Sequence, residues 1–144
     1  MLRLVTHPNT ILRTKGKKIT NPLDLKIQKL IKEMIDTMRA EKGVGLAAQQ
    51  IGQALQIAVI EVDDTVYTLI NPKITTLSRE RESMEEGCLS VPGNFFSIKR
   101  SLSVQVRYLD EKGEKKKLRA RGLLAQAIQH EVDHLNGVII LDRL

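Results

Sequence analysis

The chain has 144 residues, 42% of them hydrophobic and 28% charged, with no tryptophan and a net charge of +6. That is enough for one domain, residues 1–144, with a core of its own. No run reaches the ~20 apolar residues of a membrane span, the N-terminus lacks the apolar stretch of a secretory signal, and the single cysteine excludes an internal disulfide, so a cytoplasmic protein without membrane attachment is expected.

Residues 1–20 are mixed, with a Pro turn around His7-Pro8-Asn9 and a basic loop from Arg13 to Lys18. Asn21 then reads as a helix N-cap, with Pro22 in the first helical position and Asp24 in the first turn. Leu23, Ile27, Leu30, Ile31, Met34, Ile35 and Met38 step by three or four, which predicts an amphipathic helix to about Ala40, closed by Gly43. Gly43-Val44-Gly45-Leu46-Ala47-Ala48-Gln49-Gln50 follows. Its glycines permit close approach of another backbone, and a polar Gln50 in that apolar setting needs a partner. Ala48 breaks the pattern of a nucleotide-binding loop.

Strands are expected at Leu55–Val62 and, after an Asp63-Asp64 turn, Val66–Ile70. Asn71-Pro72 is expected to break the chain before an exposed strand from Lys73 to Met84. Phe95–Ile98, Ser101–Leu109 and Glu114–Arg119 read as further strands, with a hairpin turn at Asp110–Gly113. Lys115-Lys116-Lys117 is the only cationic run. A solvated strand face explains it at least as well as a polyanionic neighbour. A second helix covers Leu123 to Leu135 and stops at Asn136-Gly137, and Val138–Leu141 reads as a last short strand. Helix, many strands, helix: the order predicts an α+β fold of mainly antiparallel sheets around the second helix.

That second helix carries His130-Glu131-Val132-Asp133-His134, an H-E-x-x-H motif. Residues four apart share a helix face, so both imidazoles can chelate one ion, and Glu131 can reach a water on it without being a ligand. A solvated helix could carry such residues by chance. Here the helix is otherwise apolar, where unpaired polar groups are costly. An open tetrahedral site needs a third protein ligand. Ile140 stands where a downstream third His would be, and Asp142 is the only later carboxylate, so that ligand must come from earlier in the chain. Cys88 fits, because the glycines and proline of Glu85-Glu86-Gly87-Cys88-Leu89-Ser90-Val91-Pro92-Gly93 constrain a turn that aims one side chain. His7 is the rival, in what reads as a structural turn.

Three segments, Gly43–Gln50, Glu86-Gly87-Cys88-Leu89-Ser90 and Gln129–Leu135, together closely resemble the three signature motifs of peptide deformylase, in that family's order and approximate spacing. The resemblance implies removal of the N-formyl group from formyl-methionine at the start of nascent polypeptides. It implies one divalent metal on Cys88, His130 and His134, with Fe2+ the physiological ion and Zn2+, Ni2+ or Co2+ as substitutes. It further implies that Glu131 is the acid/base and that Gln50 and the Leu89 N–H form the oxyanion hole. The substrate methionine is expected in an apolar pocket of Val44, Leu123, Ala127 and the faces of Glu86 and His130, its backbone pairing with Gly43 to Gly45. A monomer is expected. Many family members continue into a basic C-terminal helix that in some bacteria docks on the ribosome. This sequence ends at Leu144, so a transient, weakened ribosome contact is expected. The competing readings are a metallopeptidase, which the missing downstream ligand disfavours, and a non-catalytic basic ribosome- or RNA-binding protein, which only two Phe and two Tyr serve poorly.

Overall fold

The computed structural model describes residues 2–144. Two helices, α1 (Leu25–Ala40) and α2 (Gly122–Leu135), flank seven strands: β1 (Gly45–Ala47), β2 (Ile57–Val62), β3 (Thr65–Leu77), β4 (Arg81–Cys88), β5 (Val91–Ser101), β6 (Ser103–Leu109) and β7 (Lys115–Arg121). Five strands form one antiparallel sheet in the order β1-β2-β3-β6-β7, and β4 and β5 form a separate hairpin. The fold is α+β with mostly antiparallel strands. No described helix is long and apolar enough to cross a membrane.

Alternation along the strands divides the core into two layers. Ile57, Val59 and Ile70 meet Ile31, Met34 and Met38 of α1, whereas Ile60, Leu69, Val104, Val106 and Ala120 meet Ala125, Ile128 and Val132 of α2. Both helices end in the same way. The N–H groups of Lys42 and Gly43 bond to the carbonyls of Arg39 and Met38, and those of Gly137 and Val138 to the carbonyls of His134 and Asp133. These paired bonds satisfy the last-turn carbonyls and require one left-handed residue. In α2 that residue is Gly137 (φ 77°), as expected; in α1 it is Lys42 (φ 58°), one position before Gly43.

Four expectations need correction. Asn21 is not the N-cap of α1. The helix starts at Leu25 under Asp24, whose Oδ1 accepts from the Lys26 N–H at 2.8 Å. Asn71-Pro72 does not break the chain, because β3 continues to Leu77 and absorbs the missing proline N–H in a register shift. Asn71, at φ 52°, then clamps both backbone groups of Ile19 with its amide at 2.8 Å. The expected Lys73–Met84 strand is therefore divided between β3 and β4. Lastly, Val138–Leu141 forms no strand. Ile139 and Ile140 are buried, and a 3-10 turn over Ile140–Arg143 is held by Asp142, which accepts from the Ile139 N–H at 2.9 Å. The β-branched run favours a strand locally, but burial and that carboxylate decide otherwise.

Gly137 and Gly122 separate two costs of a side chain at positive φ. A Cβ at Gly137 would lie 2.5 Å from the Arg13 carbonyl oxygen, whereas one at Gly122 (φ 61°) meets nothing within 4 Å. Gly137→Ala is expected to lower stability by about 2 kcal/mol or more and Gly122→Ala by about 1 kcal/mol, read from urea unfolding midpoints.

Candidate metal centre

The helical repeat sets the first half of the site. His130 and His134, four residues apart on α2, bring their Nε2 atoms to 3.2 Å with the rings 72° apart. The β4–β5 hairpin supplies the rest. Its two-residue connection, Leu89-Ser90, leaves Cys88 at the end of β4, opposite Val91, with Sγ 3.3 Å from His134 Nε2. One ligand atom each from Cys88, His130 and His134 lies within 4.8 Å of the others. His7 is exposed and is not part of this cluster.

The donor set fits a tetrahedral divalent ion. At bond lengths of ~2.0–2.3 Å such an ion separates its ligand atoms by ~3.4–3.6 Å, close to the 3.2 Å between the two imidazoles and the 3.3 Å from Cys88 to His134. The cluster also calls for positive charge at its centre. Burial opposes a charged His130, yet Glu131, Cys88 and Glu86 outweigh it and hold His130 well above its ordinary pKa. Burial and the neighbouring His130 push His134 well below its own.

The outer nitrogen of His130 is fixed. Its Nδ1 lies 2.7 Å from Glu86 Oε2, and a carboxylate only accepts, so Nδ1 carries the proton and Nε2 offers its lone pair inward. Glu86 is held in turn by Arg100, whose Nε and Nη2 donate to its two oxygens at 3.0 and 2.6 Å. Nη1 of Arg100 reaches Asp133 Oδ2 at 2.7 Å, and Arg143 donates to the same carboxylate at 2.8 and 3.1 Å. Burial alone would raise the Glu86 pKa, but His130 and Arg100 overcome it and bring it to about 2. His134 Nδ1 is buried without a partner.

Glu131 lies beside the cluster, 3% exposed, and its Oε1 has no hydrogen-bond partner. Burial pushes its carboxyl up to about 7 against the pull of His130. Gly45 makes the room, since a Cβ there would lie 2.5 Å from Glu131 Oε2. Gln50 is anchored by its oxygen, which accepts from the Ala47 N–H at 2.9 Å. Its Nε2 donates to Ser90 Oγ at 3.2 Å and lies 3.6 Å from Cys88 Sγ.

A cavity of about 630 Å³ opens on this group, and Gly43, Val44, Gly45, Glu86, Leu89, Leu123 and Ala127 all line it. Sequence reasoning missed Ser90, Gln126 and Asp133. Ser90 ties the Cys88 turn to the N-terminal segment through Val5 O at 2.7 Å, and its backbone oxygen accepts from the His7 N–H at 2.9 Å. Gln126 donates to Glu85 O and Glu86 Oε1 at 3.1 and 3.3 Å. Asp133 lies within the H-E-x-x-H stretch itself, where an acid one residue before a ligand could have been noted. The two downstream positions are otherwise engaged: Ile140 is buried, and Asp142 pairs with Arg13 at 2.6 Å.

The sequence model of the polypeptide deformylase family matches residues 1–144. The chain is similar to the peptide deformylase of Dictyoglomus thermophilum, 49% identical over 142 residues, covering 99% of this chain and 90% of that one. It is also similar to that of Prochlorococcus marinus strain SARG, 46% identical over 147 residues, covering 99% and 72%. Among solved structures, peptide deformylase from Thermotoga maritima superposes with a TM-score of 0.97 at 40% identity, covering 100% of this chain and 97% of that one. The Synechococcus elongatus enzyme, solved in complex with actinonin, gives 0.96 at 41% identity over 99% of this chain and 78% of that one.

Arg100 neutralises the buried Glu86 and contacts the half-buried Asp133, so its removal leaves uncompensated charge. Arg100→Ala is expected to cost about 3–5 kcal/mol by chemical denaturation. Arg100→Lys, which keeps the charge but not the fork, recovers part of that loss.

Proposed function

The chain belongs to the polypeptide deformylase family of metal-dependent hydrolases, and on that premise we propose how its own residues remove the formyl group from formyl-methionyl nascent peptides. Cys88 Sγ, His130 Nε2 and His134 Nε2 hold one divalent ion, Fe2+ as the physiological metal, with Zn2+, Ni2+ or Co2+ as substitutes. When bound, the ion supplies Lewis acidity and brings the pKa of a water toward neutrality. The convergence of those three atoms at a cavity that also holds Glu131 and Gln50 carries this reading.

Glu131 accepts the proton of the attacking water and passes it to the departing amine. A buried carboxyl near pKa 7 suits both directions, and such transfer contributes ~10²–10⁴ in rate. Gln50 Nε2 and the Leu89 N–H donate to the formyl oxygen as it gains negative charge, each worth about 3–4 kcal/mol. With its oxygen tied to Ala47, the Gln50 amide keeps Nε2 3.6 Å from Cys88 Sγ, and both residues line the cavity.

The substrate backbone lies extended along Gly43 to Gly45. β1 is an edge of the large sheet, so its outer side is open to one more strand. The methionine side chain enters between Val44, Leu123 and Ala127. The Glu86 carboxylate, already bound to Arg100 and His130, turns only its methylenes to that pocket. The same cavity takes actinonin. Residues 1–144 act as one catalytic domain built around α2, with α1 as its amphipathic N-terminal helix. The protein works as a cytoplasmic monomer with transient ribosome contact.

Two measurements check these roles. By elemental analysis, Cys88→Ala is expected to lose most of its metal while His7→Ala keeps one ion per chain. Glu131→Gln is expected to keep its metal and lose about 10²–10⁴ in formyl-Met-Ala-Ser turnover. Full occupancy in Cys88→Ala, or near-normal turnover in Glu131→Gln, refutes the corresponding role. On substrates, formyl-Met peptides are expected to be cleaved far faster than acetyl-Met peptides, because the acetyl methyl must fit between the metal, Gln50 and Leu89. Equal rates refute the substrate assignment.

A further inference from the structure

Strand β7 is an edge of the five-stranded sheet and pairs only with β6. Leu118 and Ala120 turn toward the α2 layer, so Lys115, Lys117, Arg119 and Arg121 share the opposite face, and all four are exposed. Residues directly opposed across strands lie on one face. Lys117 is opposite Arg107 on β6, and Arg107 is opposite Lys73 on β3; both partners are exposed. Six cations therefore stand on one face of three neighbouring strands. Lys116, in the middle of the cationic run, falls on the other face, 3.9 and 3.6 Å from Asp110 and Glu114.

Among the described residues, none of the six takes part in a salt bridge. The remaining positions opposite them on this face are the neutral Thr76, Gln105 and Ser103 and the apolar Leu109. On the same side of the sheet, helix α1 packs over Ile57, Val59 and Ile70 and, beside Lys115, over the half-buried Leu109, and its Gln28 donates to Glu111 O at 2.7 Å. The rest is left open, and six like charges there repel one another with no internal offset.

A strand rise of ~3.4 Å and a strand spacing of ~4.8 Å make this a cationic lattice of ~20 by ~10 Å. Rows of anions are its complement. The face carries no aromatic side chain on which unpaired bases could stack: Tyr67 and Tyr108 pack on the α2 side, and Phe95 and Phe96 lie in β5. It carries no apolar anchor for a bilayer either. A flat face of long cations suits the wide, shallow minor groove of an A-form helix, whereas B-form grooves are entered by a helix or ribbon. We propose that this open half of the sheet is a docking surface for the sugar-phosphate backbone of duplex RNA, without sequence preference.

Fluorescence anisotropy tests this with a short mixed-sequence RNA duplex, the same sequence as DNA duplex and as single-stranded RNA, and phosphatidylglycerol vesicles. The RNA duplex is expected to bind most tightly, with a log–log salt slope of about −4 for four or more neutralised phosphates. Lys117→Glu with Arg119→Glu is expected to weaken it at least about tenfold, with formyl-peptide turnover unchanged. The same charge change on α1, Lys29→Glu with Lys32→Glu, is expected to alter it less than about threefold. If the β7 reversal lowers the unfolding midpoint, Lys117→Gln with Arg119→Gln carries the test, with at least about threefold weakening expected. Equal losses from the β7 and α1 variants, equal or tighter binding of DNA or single-stranded RNA, or binding of vesicles alone would overturn the proposal.

Discussion

A guanidinium 3% exposed to solvent is tolerable only with carboxylates around it, and Arg100 has two. Desolvating each ion costs several kcal/mol, which their attraction offsets only with good geometry and satisfied hydrogen bonds. Arg100 meets both conditions through a two-point bond to Glu86 and a third bond to Asp133. Glu86 lies on β4, Arg100 on β5 and Asp133 on α2, so one charge network fastens the small hairpin to the helix. The sulfur and the imidazoles come from those two bodies. Their separation depends on a contact made outside the cluster, and the same Glu86 carboxylate sets the tautomer of His130.

Close approach also depends on atoms that are missing. Glycine at 45 leaves room for the Glu131 carboxylate, and glycine at 43 for Leu89, whose Cδ1 would lie 2.8 Å from an added Cβ. Glycine at 87 does the same for the Phe95 ring, 2.7 Å from a Cβ there. The backbone that flanks the cavity is thus cut back where α2 and the β4–β5 hairpin press on it. Burial then acts on Glu131, which stays close to neutrality because no cation is bonded to it, while Glu86 in the same cavity is driven to about 2 by its partners. Two carboxyls in one pocket are pushed apart by their surroundings.

The parts legible in the sequence were those with a short period. His130 and His134 share a face because a helix repeats, and Cys88 stood out because glycine and proline constrain its turn. Asp63-Asp64 and Asp110–Gly113 were readable as turns, and both connect paired strands. What stayed hidden depends on distant partners. Pro72 reads as a strand breaker until Asn71 is seen clamping Ile19, and Val138–Leu141 reads as a strand until Asp142 takes the Ile139 N–H. Ser90 gives no local sign that it joins Val5 to Gln50. The three consecutive lysines look like one patch, yet the pleat sends the middle one to the opposite side of the sheet, a division visible only once β7 is known to pair with β6.

Ser90 gives the centre a reach along the chain that its compact geometry conceals. Its bonds draw in Val5, 85 positions earlier in the chain, and the neighbouring His7, while Asp133 holds Arg143 only 10 positions on. Contacts of long sequence separation form late, because the loop they close must first be ordered. A chain released early from synthesis, or clipped near either flank, lacks part of the scaffold even with Cys88, His130 and His134 intact. Turnover in such a protein measures completion of the whole fold, and a partly folded chain has no half-built catalyst to expose.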